Sequence, residues 1–163
     1  MANGLLQSWR VLRGQGAACR FDRLTFTVQR EVADRLAAGP ASHAYGLLSV
    51  LVALLGRLTP GPAVPASAFW PAPKVASRMM RIDFDPQAAG RLADADVLQA
   101  ALALAFGQRR KQIGAIARKG TRHFSAQALT AALDAAGIDP RARAERVPPE
   151  QFLALANDLA QRA

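Results

Sequence analysis

The stretch FDRLTFTVQREVADRL, residues 21–36, contains the change of hydrophobic period that decides the fold. Its first part alternates apolar and polar side chains with threonines between them, and this period of two predicts a β-strand from Phe21 to Val28. The following residues, Glu31 to Ala38, have helical spacing and stop at the breaker Gly39-Pro40. A strand that runs directly into a helix indicates an α/β protein.

The segments on either side of this stretch extend the pattern. Leu5–Leu12 has helical spacing, and Ala44–Leu55 is an apolar helix that Ser42 can cap and that must be buried because no face of it is polar. The five prolines within residues 60–73 exclude a helix or a central strand, and Val75–Phe84 alternates as a second strand. Two strands with their helices cannot cover both faces of a parallel sheet, so we interpret this part as the back end of a doubly wound domain.

The sequence becomes wholly helical after the turn at Asp85-Pro86, which we take as a domain boundary. The helix signals are a cap at Asp94 or Asp96, a cap at Ser125 for a helix over Ala126–Ala136, and a last helix that begins at Pro149. The predicted organisation is therefore an α/β part, residues 1–84, followed by a small helical part, residues 85–163.

Composition narrows the classes of function. The 163 residues include 21 Lys and Arg against 12 Asp and Glu, a net charge of +9, and this excess in a folded chain points to nucleic acid as the default partner. The single cysteine, Cys19, excludes a disulfide scaffold and a cysteine-based zinc site, and His43 and His123 lack ligand spacing, so we predict no metal. The apolar runs are too short to span a bilayer and the N-terminus does not have the order of a signal peptide, so we expect a cytoplasmic protein with no membrane partner.

A run of basic residues without any acid lies between Gly107 and Phe124. Its charged members are Arg109, Arg110, Lys111, Arg118, Lys119 and Arg122. Side chains that neutralise phosphates release counterions, and such a run gives affinity that depends on salt and hardly on nucleotide sequence. We therefore predict a nucleic-acid-binding surface here; the alternative is an ordinary solvated helix face.

A second candidate site is the proline-stiffened segment Ala68–Val75. A rigid aromatic, Phe69 or Trp70, beside Lys74 suits stacking on an unpaired base with a phosphate nearby. The alternative is that the two aromatic rings cap the edge of the core. The sequence contains no readable pair of catalytic carboxylates and no nucleophile beside a base, so the residues alone indicate a basic binding protein without visible catalysis.

Five motifs follow one another from about residue 22 to the end of the chain. They are residues 27–36 (TVQREVADRL), 44–50 (AYGLLSV), 65–77 (PASAFWPAPKVAS), 106–111 (FGQRRK) and 137–145 (GIDPRARAE). In this order and at these spacings they resemble the ribosomal RNA adenine N6,N6-dimethyltransferase family (bacterial KsgA type, small-subunit rRNA). Each motif is weak alone, and together they are specific.

The resemblance implies a fold, an activity and site residues. The fold is the C-terminal part of a Rossmann-like methyltransferase domain followed by a small all-helical, rRNA-docking domain. The family's activity transfers methyl groups from S-adenosylmethionine to two adjacent adenines of small-subunit rRNA, and the small ribosomal subunit is the implied partner. Phe69 matches the family's aromatic that faces the target adenine, and Lys74 follows in the same loop.

The chain departs from the family pattern at several points. The family's glycine-rich cofactor loop, its ribose-binding acid and its Asn-Pro-Tyr catalytic motif correspond to sequence upstream of Met1. Ala76 stands where the family usually has Asp, and Gly107 where it has Ser or Asn. We therefore expect this chain alone to be inactive, with no catalytic residue and no bound cofactor. The alternatives are a non-catalytic rRNA-binding ribosome-assembly protein, and a decaying reading frame whose open sheet edge lets it barely fold.

Overall fold

The computed structural model describes residues 22–162 of the chain. The predicted helix at Leu5–Leu12 and the residue Cys19 lie outside the described residues. The strands are β1 (Arg23–Gln29), β2 (Gly56–Val64) and β3 (Ser77–Phe84). The helices are α1 (Arg30–Ala37), α2 (Leu47–Leu55), α3 (Pro86–Gly90), α4 (Ala95–Gly107), α5 (Ile113–Ala117), α6 (Ala126–Ala135) and α7 (Pro149–Arg162). Short 3-10 turns occupy Ala66–Ala68 and Ala144–Arg146.

The sheet of the described residues has the strand order β1-β3-β2, and both pairs are antiparallel. The expectation of parallel neighbours is therefore wrong for these strands. The cause is the position of β3, which returns from β2 through the loop of residues 65–76 and inserts between β2 and β1. The two outer strands consequently run parallel to each other without being bonded to each other.

Strand β2 is not predicted from the sequence because it contains Pro60 and Pro62. Proline has no N–H to donate, and the structure places this strand at an edge of the described sheet, where fewer donors are needed. Its pairing with β3 shifts register between Pro60 and Ala63, as expected for a strand with prolines beside a bulge. Prolines exclude a central strand, but they do not exclude a strand at the edge of a sheet.

The two faces of the sheet differ in character because side chains alternate along each strand. On one face Met80, Ile82 and Phe84 are buried. Helix α1 contacts all three strands, and α2 contacts β2. On the opposite face Arg23 donates from Nε to Asp83 Oδ1 at 2.6 Å, and Arg81 donates from Nε to the other carboxylate oxygen at 2.9 Å. The hydrogen bond from Arg23, reinforced by the positive charges of both arginines, lowers the pKa of the Asp83 carboxyl.

Side-chain caps mark the starts of several helices, α3, α4 and α6 among them. The Asp94 carboxylate accepts hydrogen bonds from two backbone N–H groups at 2.7 and 3.2 Å and caps α4, and the Ser125 hydroxyl accepts from Ala128 N at 3.1 Å and caps α6. Ser42 does not cap α2, which begins at Leu47: its hydroxyl accepts from Ala44 N at 3.3 Å within a separate turn. The helix begins five residues after Ser42, and its N-cap position is occupied by Gly46, so the Ser42 hydroxyl is not placed to reach the first N–H groups of α2.

The apolar core runs continuously through the α/β and helical parts. Helix α7 packs on α4 and α6 and also on α2, so buried residues on both sides of Asp85 belong to one cluster. Asp85 caps the short helix α3 through Gln87 N at 2.9 Å, and its own N–H donates to Leu55 O at 3.0 Å. A boundary between residues 84 and 85 stays a prediction. None of the helices within residues 22–162 is both long enough and apolar enough to cross a bilayer.

Candidate nucleic-acid interface

The loop that joins β2 to β3, residues 65–76, is built to hold aromatic side chains in place. It leaves β2 through the turn Ala66–Ala68, whose backbone bonds are Ala68 N to Pro65 O at 3.1 Å and Phe69 N to Ala66 O at 3.2 Å. It rejoins the sheet where Arg30 N donates to Ala76 O at 3.0 Å. Prolines restrict the backbone between these anchors, so few conformations are lost when a ligand binds.

The aromatic side chains of this loop are on the surface. Phe69 is 38% exposed and Trp70 is 98% exposed, and Lys74 is exposed a few residues later. The interpretation of Trp70 as a residue that caps the core edge is therefore wrong. Phe69 retains partial contact with the protein and presents the rest of its ring to solvent.

The basic run does not form one helix face. Its charged residues flank α5, which buries Ile113 and Ile116, so the alternative of a solvated helix face is wrong. Five of them are exposed: Arg110, Lys111, Arg118, Lys119 and Arg122. Lys111 Nζ donates to Gln108 Oε1 at 3.1 Å, a contact that leaves two ammonium protons for other acceptors.

Arg109 differs from its neighbours because its guanidinium has protein partners. It donates from Nη2 to His43 O at 3.0 Å and lies 3.5 Å from Glu145 Oε2. The same turn is held by Ala41 N, which donates to Glu145 O at 2.7 Å. Arg109 therefore connects the α1–α2 loop with the turn at Ala144–Arg146, and we expect it to position the surrounding surface.

Tyr45 secures this junction from inside the protein. The side chain is 1% exposed, its hydroxyl donates to Val147 O at 2.9 Å, and burial raises the pKa of the phenol well above its ordinary value. Its ring meets Phe106 edge to face at 5.9 Å between centroids. A neutral, hydrogen-bonded, packed tyrosine of this kind stabilises the fold and offers no group for chemistry.

The segment of residues 139–146 lies along the start of α5. Ile113 N donates to Ala142 O at 2.8 Å, Gly114 N donates to Pro140 O at 2.9 Å, and Gln112 forms a β-bridge with Arg143. This pairing places the segment that carries the exposed residues Arg141, Arg143 and Arg146 beside the segment that carries Arg110 and Lys111. We call these five residues the basic surface.

The three arginines of the basic surface that come from residues 141–146 are not among the binding residues predicted from the sequence. The available signal was three arginines within six residues. Two neighbouring acids obscured it, but both are occupied in the structure: Asp139 accepts from Arg141 N at 2.9 Å, and Glu145 lies beside Arg109. The positive charge of the surface is therefore only partly offset.

We expect the substitution Gly114→Ala to loosen this pairing. A Cβ at Gly114 would lie 2.7 Å from Pro140 Cβ and 2.8 Å from Pro140 O, so the two segments must separate, at a cost of about 1–3 kcal/mol in the free energy of unfolding. Gly107→Ala is the matched control, because its Cβ would meet nothing within 4 Å. Urea unfolding measures both variants, and equal effects would contradict the close approach.

The described residues do not fit a metal or S-adenosylmethionine. No group of three or more His, Cys, Asp or Glu side chains converges within residues 22–162. A nucleotide-type cofactor in a Rossmann-like sheet needs a glycine-rich turn at a strand end and an acid for the ribose. At the carboxyl end of β1 the chain passes from Gln29 directly into Arg30, whose N–H is bonded to Ala76 O. At the carboxyl end of β2 the next residue is Pro65, so neither strand end carries a glycine-rich turn.

Comparisons with known proteins agree on one family. The family model described as ribosomal RNA adenine dimethylase matches residues 10–161. Ribosomal RNA small subunit methyltransferase A of Rhodospirillum rubrum is 43% identical over 158 residues, which are 96% of this chain and 50% of the relative. The protein of the same name from Phenylobacterium zucineum is 44% identical over 135 residues (82% and 44%), and that of Escherichia coli is 41% identical over 139 residues (85% and 48%).

The fold has a counterpart among solved structures. The crystal structure of a dimethyladenosine transferase from Plasmodium falciparum matches with a TM-score of 0.71 at 19% identity, over 88% of this chain and 58% of that one. At this identity the likeness concerns the fold alone. The chain spans about half the length of the curated relatives it matches.

Proposed function

Because this chain belongs to the ribosomal RNA adenine dimethylase family, we propose that it is the C-terminal portion of a small-subunit rRNA adenine N6,N6-dimethyltransferase. In this proposal the described residues dock on the rRNA and present the target base, in the cytoplasm where small subunits mature. The observation that carries the proposal is the basic surface, which the fold assembles from two separate segments of the chain.

Docking follows from the charge of this surface. Arg110, Lys111 and Arg143 are exposed. Of the two acids in residues 137–146, Glu145 lies beside Arg109 and Asp139 keeps its charge while it accepts from a backbone N–H, so the five cations of the surface outnumber them. Exposed guanidinium and ammonium groups bind phosphate oxygens, and this binding releases the counterions of the nucleic acid. Arg118, Lys119 and Arg122, beyond α5, extend the positive field and attract the RNA from a distance.

Presentation of the target base is the proposed role of Phe69. The exocyclic amine of adenine is a weak nucleophile because its lone pair is delocalised into the ring, and the base must leave its stack before it can react. An exposed ring on a stiff loop lowers the cost of that unstacking, and Lys74 can hold a neighbouring phosphate. S-adenosylmethionine, when bound to the family's enzymes, supplies the methyl group; residues 22–162 supply no site for it.

A second candidate function is a non-catalytic rRNA-binding protein that acts in ribosome assembly. The observation that favours it is the combination of a complete basic surface with strand ends that do not fit the cofactor. Both candidates predict rRNA binding. They differ in whether methyl transfer accompanies it when the chain's natural partners are present.

The test uses the full chain with unmethylated small ribosomal subunits and radiolabelled S-adenosylmethionine. We expect binding that weakens steeply as salt rises, because several phosphates are neutralised, and no labelled rRNA from this chain alone. Labelled rRNA formed by this chain alone would reject the non-catalytic candidate and the expectation that the chain is inactive by itself. Binding that is absent, or insensitive to salt, would overturn the docking proposal itself.

A further inference from the structure

Trp70 is a large apolar side chain that the protein leaves almost entirely in solvent. It is 98% exposed, whereas tryptophan is normally among the well-buried residues of a folded protein. It makes no ring contact and no hydrogen bond within the part of the chain that the structure describes. The fold therefore gains little from this side chain, which points to an external partner.

The loop holds Trp70 in a defined place. The turn at Ala66–Ala68 precedes it, and Pro71 and Pro73 follow it and restrict the backbone. Phe69, its direct neighbour, is 38% exposed. Two aromatic rings at adjacent positions of a stiff loop can each offer a flat face at low conformational cost.

The electrostatics around the loop identify the class of partner. Residues 65–76 contain no acid, and Lys74 is exposed within the loop. Arg30, which is also exposed, lies at the loop's base through its N–H bond to Ala76 O. Aromatic rings interleaved with cations, without acids, match a strand of unpaired nucleotides, whose bases stack and whose phosphates are anionic.

We propose that Trp70 is a second stacking platform, which takes an unpaired nucleotide next to the one that Phe69 faces. The inference rests on the proposed function, because it assumes that RNA is the partner. Stacking on Trp70 requires an accessible base face and not a particular base. The site therefore selects single-stranded over duplex RNA, with little preference for nucleotide sequence.

The test follows the fluorescence of Trp70 in the full chain. The sequence has two tryptophans, so Trp9→Phe leaves Trp70 as the only one. We expect single-stranded oligoadenylate of about ten nucleotides to quench this fluorescence, because an indole stacked on a base is quenched. Duplex RNA of the same length should leave it unchanged.

Affinity measurements on variants complete the test. Trp70→Ala should weaken binding of the single strand about tenfold, leave duplex binding and the salt dependence unchanged, and be largely reversed by Trp70→Phe. Because the side chain is exposed, these variants keep the fold, which circular dichroism checks. Equal losses for single strand and duplex, or no loss for either, would overturn the inference.

The outcomes separate this inference from the proposed function. A chain that binds duplex RNA and small subunits while Trp70 stays silent refutes the stacking platform and leaves rRNA docking intact. A chain that binds no RNA at all refutes the proposed function. Quenching by an apolar peptide or by lipid vesicles, without quenching by RNA, also overturns the inference, because the partner is then of another class.

Discussion

The triple variant Arg110→Ala, Lys111→Ala and Arg143→Ala is expected to bind small-subunit rRNA about a hundredfold more weakly than the unaltered chain near 0.1 M salt. Each exposed side chain that neutralises a phosphate contributes roughly one unit to the slope of log affinity against log salt. Removing three contacts should therefore reduce that slope by roughly two to three units. Filter binding or fluorescence anisotropy at several salt concentrations measures both quantities.

Arg109→Ala is the matched comparison for this prediction. It removes the same charge from the same run, but its guanidinium already bonds His43 O and lies beside Glu145. We expect the salt slope of Arg109→Ala to stay close to that of the unaltered chain, while its free energy of unfolding falls. Glu145→Gln should lower the free energy of unfolding by a similar amount. A slope that falls as much for Arg109→Ala as for Arg110→Ala would contradict the positioning role.

The largest effect on stability is expected from Phe152→Ala. Phe152 on α7 has no exposed surface, and its ring lies 5.6 Å from that of Phe106, which in turn contacts Tyr45. Removing the ring loses its burial and leaves a cavity where α7, α4 and the α1–α2 loop meet. The expected loss is about 3–5 kcal/mol in the free energy of unfolding, measured by urea denaturation.

Trp70→Ala provides the control for that measurement. It also removes a large aromatic side chain, but from a position that is 98% exposed, so the free energy of unfolding should change by less than about 0.5 kcal/mol. A Phe152→Ala variant as stable as Trp70→Ala would mean that α7 does not pack as described. Because α7 also contacts α2, the weakened packing of α7 in Phe152→Ala should destabilise the α/β part and the helical part together, so that both unfold in one transition.

Secondary structure was predictable wherever its cause is local. The alternation before Gln29 predicted β1, and the cap signals at Asp94 or Asp96 and at Ser125 predicted the starts of α4 and α6. The structure selects Asp94 of the first two. These signals act between residues close in sequence, so the sequence displays them directly. The strand β2 escaped because its prolines are compatible with a strand only at an edge, and the position in a sheet depends on distant residues.

The candidate site was predictable only in pieces. The aromatic loop and the run from Arg109 to Arg122 are each a continuous stretch of sequence, so both can be found without the structure. Phe69, Trp70 and most of the basic residues of the run are exposed. Arg143 lies in a cluster of arginines that the sequence displays, but only its bridge with Gln112, 31 positions away in sequence, places it beside Arg110 and Lys111. Arg109 carries the same charge as Arg110 in the sequence, and only its contacts with His43 and Glu145 distinguish the two residues.

From its amino-acid order alone, this protein can be assigned an α/β beginning, a helical end, a basic character and a family. Those properties depend on local periodicity, caps, net charge and contiguous motifs. The antiparallel direction of the described strands, the assembly of the basic surface and the different contacts of Arg109 and Arg110 depend on contacts between distant segments. Such contacts arise when the shared apolar core forms and brings those segments together, which no local pattern encodes.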